Sequence, residues 1–235
     1  MNILRSILIP YGGNISVKHG SSSKEEYIMS KSSAKAGKIL RLTQLSVLVA
    51  LLLIFGFTSI GYIKIGVIEI TLNIIPVAIG AIVLGPSAGA VCGAIFGLTS
   101  FWQAFSGMSA FGAMLVNVSP ILTFILCFVP RILEGWLTGL IFKGLSKVCK
   151  ANSIPCTVSG LACPLINTLL FVGGFILLFG QTDVFANLYG QSAATNIVAF
   201  FAWFVGLNGV VEAIAGFVIA SAVSKALLTA NKKIL

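Results

Sequence analysis

The run Ile74–Thr99, IIPVAIGAIVLGPSAGAVCGAIFGLT, decides the fold. It holds no charged residue, breaks once at Gly85-Pro86, and then sets Gly89, Gly93 and Gly97 four apart. Residues four apart stack on one face of a helix. In lipid, a face without side chains lets a second helix approach closely. Two apolar passes joined by a two-residue turn predict a tight helical hairpin inside a bilayer. The competing reading is a buried hairpin of a soluble protein, and composition argues against it. The 235 residues are 57% hydrophobic and only 9% charged, whereas a soluble domain carries about a quarter charged residues. The chain reads as an all-α, multispanning membrane protein.

The net charge of +9 invites a nucleic-acid reading. However, the Lys and Arg residues lie in short segments between and beside apolar spans, as topology signals do. No nucleic-acid partner is expected. The five cysteines (Cys92, Cys127, Cys149, Cys156, Cys163) form no C-x-x-C pair and no common metal spacing, so they read as inert small apolar residues. The first apolar run, Ile3–Pro10, is short and lacks a small-residue cleavage site, so no cleavable signal peptide is read. No P-loop signature occurs, no H-E-x-x-H occurs, and the sole histidine, His19, lies in the N-terminal tail. No enzyme activity, cofactor or metal is expected.

Residues 1–38 are polar and Ser/Lys-rich, and read as a disordered basic cytoplasmic tail. Met29 opens MSKSSAKAGKILRL, an alternative bacterial start, so residues 1–28 are open as an untranslated extension. Residues 39–230 read as a six-helix transmembrane domain. The first span covers about Ile39–Ile60, with Ser46 and Ala50 four apart. Tyr62–Thr71, YIKIGVIEIT, alternates around Gly66 and predicts a short β-hairpin or an extended loop between helices one and two. The second span, about Leu72–Leu84, falls short of the roughly 20 residues that cross a bilayer. It must tilt, thin the membrane, or be completed by the preceding loop. The third covers Ser87 to about Gln103. Ala104–Val118, uncharged and rich in Gly, Ser and Met, is expected to be a lid or a re-entrant loop. The fourth runs from Ser119-Pro120 to about Val148, the fifth from about Thr157 to Phe179, and the sixth from about Ala194 to Leu228. Arg5, Lys18, Lys24, Lys31, Lys35, Lys38 and Arg41 precede the first span. Lys143, Lys147 and Lys150 separate spans four and five, and Lys225, Lys232 and Lys233 close the chain. The positive-inside rule then places both termini in the cytoplasm, with Lys64 opposite.

Three ionisable residues fall at membrane depth: Arg131, Glu134 and Glu212. A lone charge there costs several kcal/mol, so each needs a partner or a water-filled cavity. Arg131 lies about 18 Å below the outer start of its span at 1.5 Å per residue. It is within reach of Glu134 at i, i+3, or of Glu212 on the last span. One reading is a structural ion pair; the other is a site floor in which Arg131 offers its fork to a ligand carboxylate. Asn208 lies one turn from Glu212, and Asn167 at mid-depth of the fifth span. Asparagines there often tie helix to helix, but these converge with Asn73, Trp102, Gln103, Asn117 and Trp203. A few placed polar groups among aromatic walls make a pocket for a small polar molecule. No inverted repeat relates the two halves, which weakens a secondary-transporter reading.

At this point the chain resembles the substrate-binding membrane subunits (S components) of bacterial energy-coupling factor vitamin transporters, over roughly Ile39–Leu228. The likeness rests on six spans, a basic tail, the Ser46/Ala50 step, the P-x-x-I-G-A-I-x-L-G-P-x-x-G-A run from Pro76 to Ala90, and the Asn208/Glu212 pair. Cys127-Phe128-Val129-Pro130-Arg131-Ile132-Leu133 with Asn167-Thr168 looks most like the pantothenate-specific branch. The resemblance implies capture of a vitamin from outside and docking on a transmembrane coupling subunit with two ATPases, in a bacterial plasma membrane. It implies docking through Ser46 and Ala50, where the family has an alanine-xxx-alanine step. It also implies toppling in the membrane, which glycine-rich lipid-facing surfaces would suit. An ion-coupled secondary transporter or channel, an S component for riboflavin or folate, and, third, a membrane enzyme are the alternatives.

Overall fold

The computed structural model describes residues 22–58, 62–65, 68–149, 153–192, 213–214 and 216–234, with the single positions 196, 199 and 202. The chain divides into the units Met1–Ile39 and Leu40–Leu235. Helix α1 (Ser22–Phe57) begins inside the tail that was expected to lack structure. No proline or glycine occurs from Ser22 to Ala36, so nothing in the sequence breaks the helix there. Everything below concerns the second unit.

Strands β1 (Tyr62–Ile65) and β2 (Ile68–Thr71) pair antiparallel, with Tyr62 opposite Thr71 and Ile65 opposite Ile68. Helix α2 (Ile74–Leu84) is α-helical to Ile79 and widens into a π-helix over Gly80–Leu84. At 1.5 Å per residue it is about 16 Å long, half the thickness of a bilayer's hydrocarbon core. Its residues are almost wholly inside the protein: Val77, Ala78 and Ala81 are fully buried. The short second pass is therefore an interior helix that other helices surround. Gly85 ends it at φ 94°, a backbone that glycine adopts freely. Pro86 then opens α3 (Pro86–Phe105) at a position that needs no N–H. Arg41 on α1 caps the end of α2 by donating from Nη2 to the Leu84 carbonyl at 2.6 Å.

The glycine ladder of α3 faces α5 (Pro120–Val148). A Cβ on Gly93 would collide with the Arg131 carbonyl, one on Gly89 with that of Gly135, and one on Gly97 would lie 2.8 Å from that of Cys127. The close approach read from the spacing is real, and its partner is α5. These three glycines are buried against protein, so they are not the lipid-facing surface that toppling was expected to use.

Residues 106–118 correct the sequence reading. After a turn through Gly107 (φ 76°), Ala110–Val118 forms helix α4, capped by the Ser109 hydroxyl, which accepts from the Gly112 N–H at 3.1 Å. Phe111 and Leu115, four apart, drop into a core with Leu126, Phe175 and Phe179, which turns a neutral segment into a packed element. Helix α6 (Ser153–Phe179) returns alongside α5. Helix α7 (Asp183–Gln191), unforeseen from the sequence, adds Phe185, Leu188 and Tyr189 to the same core and is capped by Thr182. A π-helical turn, Gly216–Ala220, leads into α8 (Ser221–Ile234), where the Ser221 hydroxyl donates to the Cys156 carbonyl at 3.3 Å.

Among the described residues, four helices are long and apolar enough to cross a membrane: Gly37–Phe57, Pro86–Phe105, Pro120–Val148 and Ser153–Phe179. Ile74–Leu84 and Phe217–Ala230 are apolar but shorter. The start of the expected sixth span, from Ala194, lies largely outside the described residues. Polarity is inverted relative to a water-soluble fold. Leu165, Leu169 and Leu177 face outward, while Thr123, Glu134, Thr138 and Ser159 are fully buried. Such an exterior is stable against lipid and unstable against water.

Candidate functional site

The site is built where α5 is interrupted. Pro130 stands inside α5 and brings no backbone N–H, so the Leu126 carbonyl four residues earlier loses its helical donor. The next side chain supplies one: Arg131 Nη1 donates to the Leu126 carbonyl at 3.2 Å. Two rings cover the guanidinium, with its carbon 4.4 Å from the Phe171 centroid and 5.2 Å from that of Phe96. Cation–π contact of this kind strengthens when the cation is desolvated, and Arg131 is only 8% exposed. Arg131 Nε is buried without a hydrogen-bond partner. In a guanidinium, the edge shared by Nε and Nη2 presents two parallel N–H bonds that match a carboxylate. With Nη1 turned to Leu126, that edge is the one left to a ligand.

Asn167 lies opposite, on α6. Its neighbours one turn away on the same face fix its position: Cys163 donates its thiol to Glu134 Oε1 at 3.1 Å, and Phe171 lies under Arg131. Asn167 therefore stands on the α6 stripe that faces the Arg131–Glu134 segment of α5. It is 6% exposed, and its Oδ1 has no hydrogen-bond partner. Burying an amide oxygen without a donor costs about 1–3 kcal/mol, so a ligand N–H or O–H placed here would offset that cost. Arg131 Nε on α5 and Asn167 Oδ1 on the facing stripe of α6 are thus two buried polar atoms without partners, and Phe96 and Phe171 pack against the guanidinium.

Two expectations for this seam need correcting. The guanidinium is anchored on the Leu126 carbonyl and the two rings, contacts that the charge-pair reading did not include. Cys163 is not an inert space-filler, because its thiol bonds the fully buried Glu134.

The remaining candidates scatter. Asn73 is fully buried at the head of α2, and its backbone N–H donates to the Thr71 hydroxyl at 3.3 Å. Gln103 is buried, but its amide donates to the Gly56 carbonyl at 2.5 Å and so clamps α3 to α1. Trp102 is 53% exposed and stands edge-on to Phe57, with ring centroids 6.5 Å apart. It lines an outward apolar groove with Val49, Leu53, Ile95 and Leu98, so it is no wall of the Arg131 seam. Asn117 is exposed on α4. Ser46 and Ala50 are both exposed on α1, where the Ser46 hydroxyl turns back to the Leu42 carbonyl at 3.0 Å. Trp203, Asn208 and Glu212 lie outside the described residues, and with them any pairing of Arg131 with Glu212. Sequence reasoning missed Phe96, Phe171 and the Leu126 carbonyl. The last had a signal: a proline directly before a buried arginine frees an acceptor within that arginine's reach. Among the described residues, no group of three His, Cys, Asp or Glu side chains is arranged to hold a metal.

Comparison with known proteins bears on what this seam serves. Residues 40–224 match the model of a family described as the substrate-specific component of the ECF transporter. A protein of Leuconostoc mesenteroides subsp. mesenteroides named pantothenate transporter PanT is 30% identical over 177 residues, which cover 72% of this chain and 82% of that protein. The pantothenic acid transporter PanT of Lactococcus lactis subsp. cremoris is 29% identical over 136 residues, covering 54% of this chain and 67% of its own length.

Proposed function

Since the chain belongs to the family of ECF transporter substrate-specific components, we propose that its own substrate is pantothenate, bound in the α5–α6 seam. The protein is a transporter subunit of the bacterial plasma membrane and not an enzyme. One observation carries the substrate reading: a buried guanidinium held by Leu126 and two rings, with its Nε edge unengaged. Pantothenate is an anion with an amide and two hydroxyls. Arg131 takes the carboxylate and Asn167 accepts from an N–H or O–H, while Phe96 and Phe171 cover apolar carbons. The names of the two relatives support the same substrate.

The wider reading follows. Six spans form the domain 39–230, and both termini lie in the cytoplasm. This is supported by the end of the fold at which Arg41 meets Leu84, Gly139 meets Pro86 and Ser221 meets Cys156. Lys143 and Lys225 follow one turn beyond, so the basic residues gather at that end. A transmembrane coupling subunit with two ATPases docks on the exposed Ser46/Ala50 face of α1, and Asn208, Glu212 and Trp203 complete the pocket.

Isothermal titration of the purified protein against pantothenate, riboflavin and folate tests the substrate. The expected result is tight binding of pantothenate alone, independent of ATP. Arg131→Ala should weaken it by roughly 10- to 100-fold, the loss of a charge-assisted pair. Unchanged affinity in that variant, or preference for another vitamin, would overturn the assignment. Uptake into liposomes by this chain alone, driven by a proton gradient, would instead favour an ion-coupled carrier.

A further inference from the structure

We infer that Pro130 is a positioning residue that sets acid specificity by freeing the carbonyl that aims the Arg131 fork. The inference rests on the pantothenate reading of the seam and goes beyond it.

An arginine at membrane depth has several acceptors to turn to, and each choice points a different edge of the guanidinium at the ligand. In an uninterrupted helix the Leu126 carbonyl would be occupied by the N–H of residue 130. Proline removes that N–H and leaves the carbonyl to Arg131 Nη1, which takes it at 3.2 Å. Phe96 and Phe171 pack against the guanidinium, their centroids 5.2 and 4.4 Å from its carbon, and so oppose its leaving this plane. Gly93 lies directly against the Arg131 carbonyl, so the backbone that bears the side chain is fixed as well. With plane, anchor and backbone determined, the buried Nε edge is turned away from Leu126. Pre-orientation of this kind favours a carboxylate, which needs both N–H bonds, over an alcohol, which needs one.

The test compares pantothenate with panthenol, in which an alcohol replaces the carboxylate. Pro130→Ala restores an N–H that competes for the Leu126 carbonyl. Affinity for pantothenate should fall about tenfold while that for panthenol is unchanged, so the acid preference shrinks. Thermal stability should hold or rise, because the helix regains a hydrogen bond and loses a proline. Slow amide exchange at position 130 would report the new bond. Pro130→Ser supplies the same N–H and serves if the alanine variant does not purify. A full acid preference in both variants overturns the inference. A parallel loss for both ligands overturns it too, since it marks a merely structural role. Absence of any acid preference in the wild-type protein would instead fell the pantothenate reading beneath it.

Discussion

At the scale of single residues, contact distance decides what a substitution does. Gly93 touches the Arg131 carbonyl, so Gly93→Ala must push α3 and α5 apart, at a cost of about 1–3 kcal/mol for overpacking. A lowered melting temperature and weaker pantothenate binding should appear together, measured by thermal shift and titration. Gly144, on the same α5, has open space around it. Gly144→Ala should leave binding alone and raise stability by up to ~1 kcal/mol, the helix-propensity difference. Gln103→Ala should do the opposite of what its sequence position suggests. Its amide clamps α3 to the Gly56 carbonyl, so stability should drop by about 1 kcal/mol while pantothenate affinity stays within twofold. A large affinity loss without destabilisation would return Gln103 to the pocket. What the sequence left illegible has the same origin. Arg131 and Asn167 were readable because polar groups at membrane depth demand a reason, whereas Trp102 and Gln103 sit one residue apart on a helix and therefore point to different surroundings. Without a helix face to assign, an outer-half tryptophan reads equally well as a pocket wall or as a lipid-facing ring.

Among elements, α1 and α2 are opposites. Little of Gly37–Phe57 is buried, and Leu42, Val47 and Ile54 stand more than half exposed. Ser46 and Ala50 open a shallow strip between those side chains. If the coupling subunit packs there, Ser46→Trp and Ala50→Trp should abolish transport in the assembled complex while titration of the isolated subunit stays unchanged. Normal transport by both variants would move the docking face elsewhere. Helix boundaries were legible where capping chemistry marks them. Ser119 caps α5 by accepting from the Leu122 N–H, and Gly85-Pro86 separates α2 from α3 where the sequence said it would. Helices α4 and α7 were not legible. Each is nine residues long and too short to show a full apolar period, and what holds them is the shared core of Phe111, Phe175 and Phe185. That core exists only after the chain has folded.

On the scale of the whole molecule, Arg41, Lys143 and Lys225 stand at or one turn from contacts at one end of the described fold, so the proposed orientation is testable without a partner. In a background stripped of native cysteines, Lys147→Cys should react with a membrane-impermeant thiol reagent only after cells are opened. Lys64→Cys should react in intact cells. The reverse pattern would invert the protein in the membrane. Helix α2 adds a consequence for biogenesis. Translocon recognition requires about 20 apolar residues offered to lipid, and Ile74–Leu84 offers 11 that almost nowhere meet lipid. It has no stable resting place in a bilayer until α3 and α5 have closed around it. The segment that the rest of the protein packs against must therefore be among the last to find its seat, carried in by its hairpin partner and held there by the glycine seam.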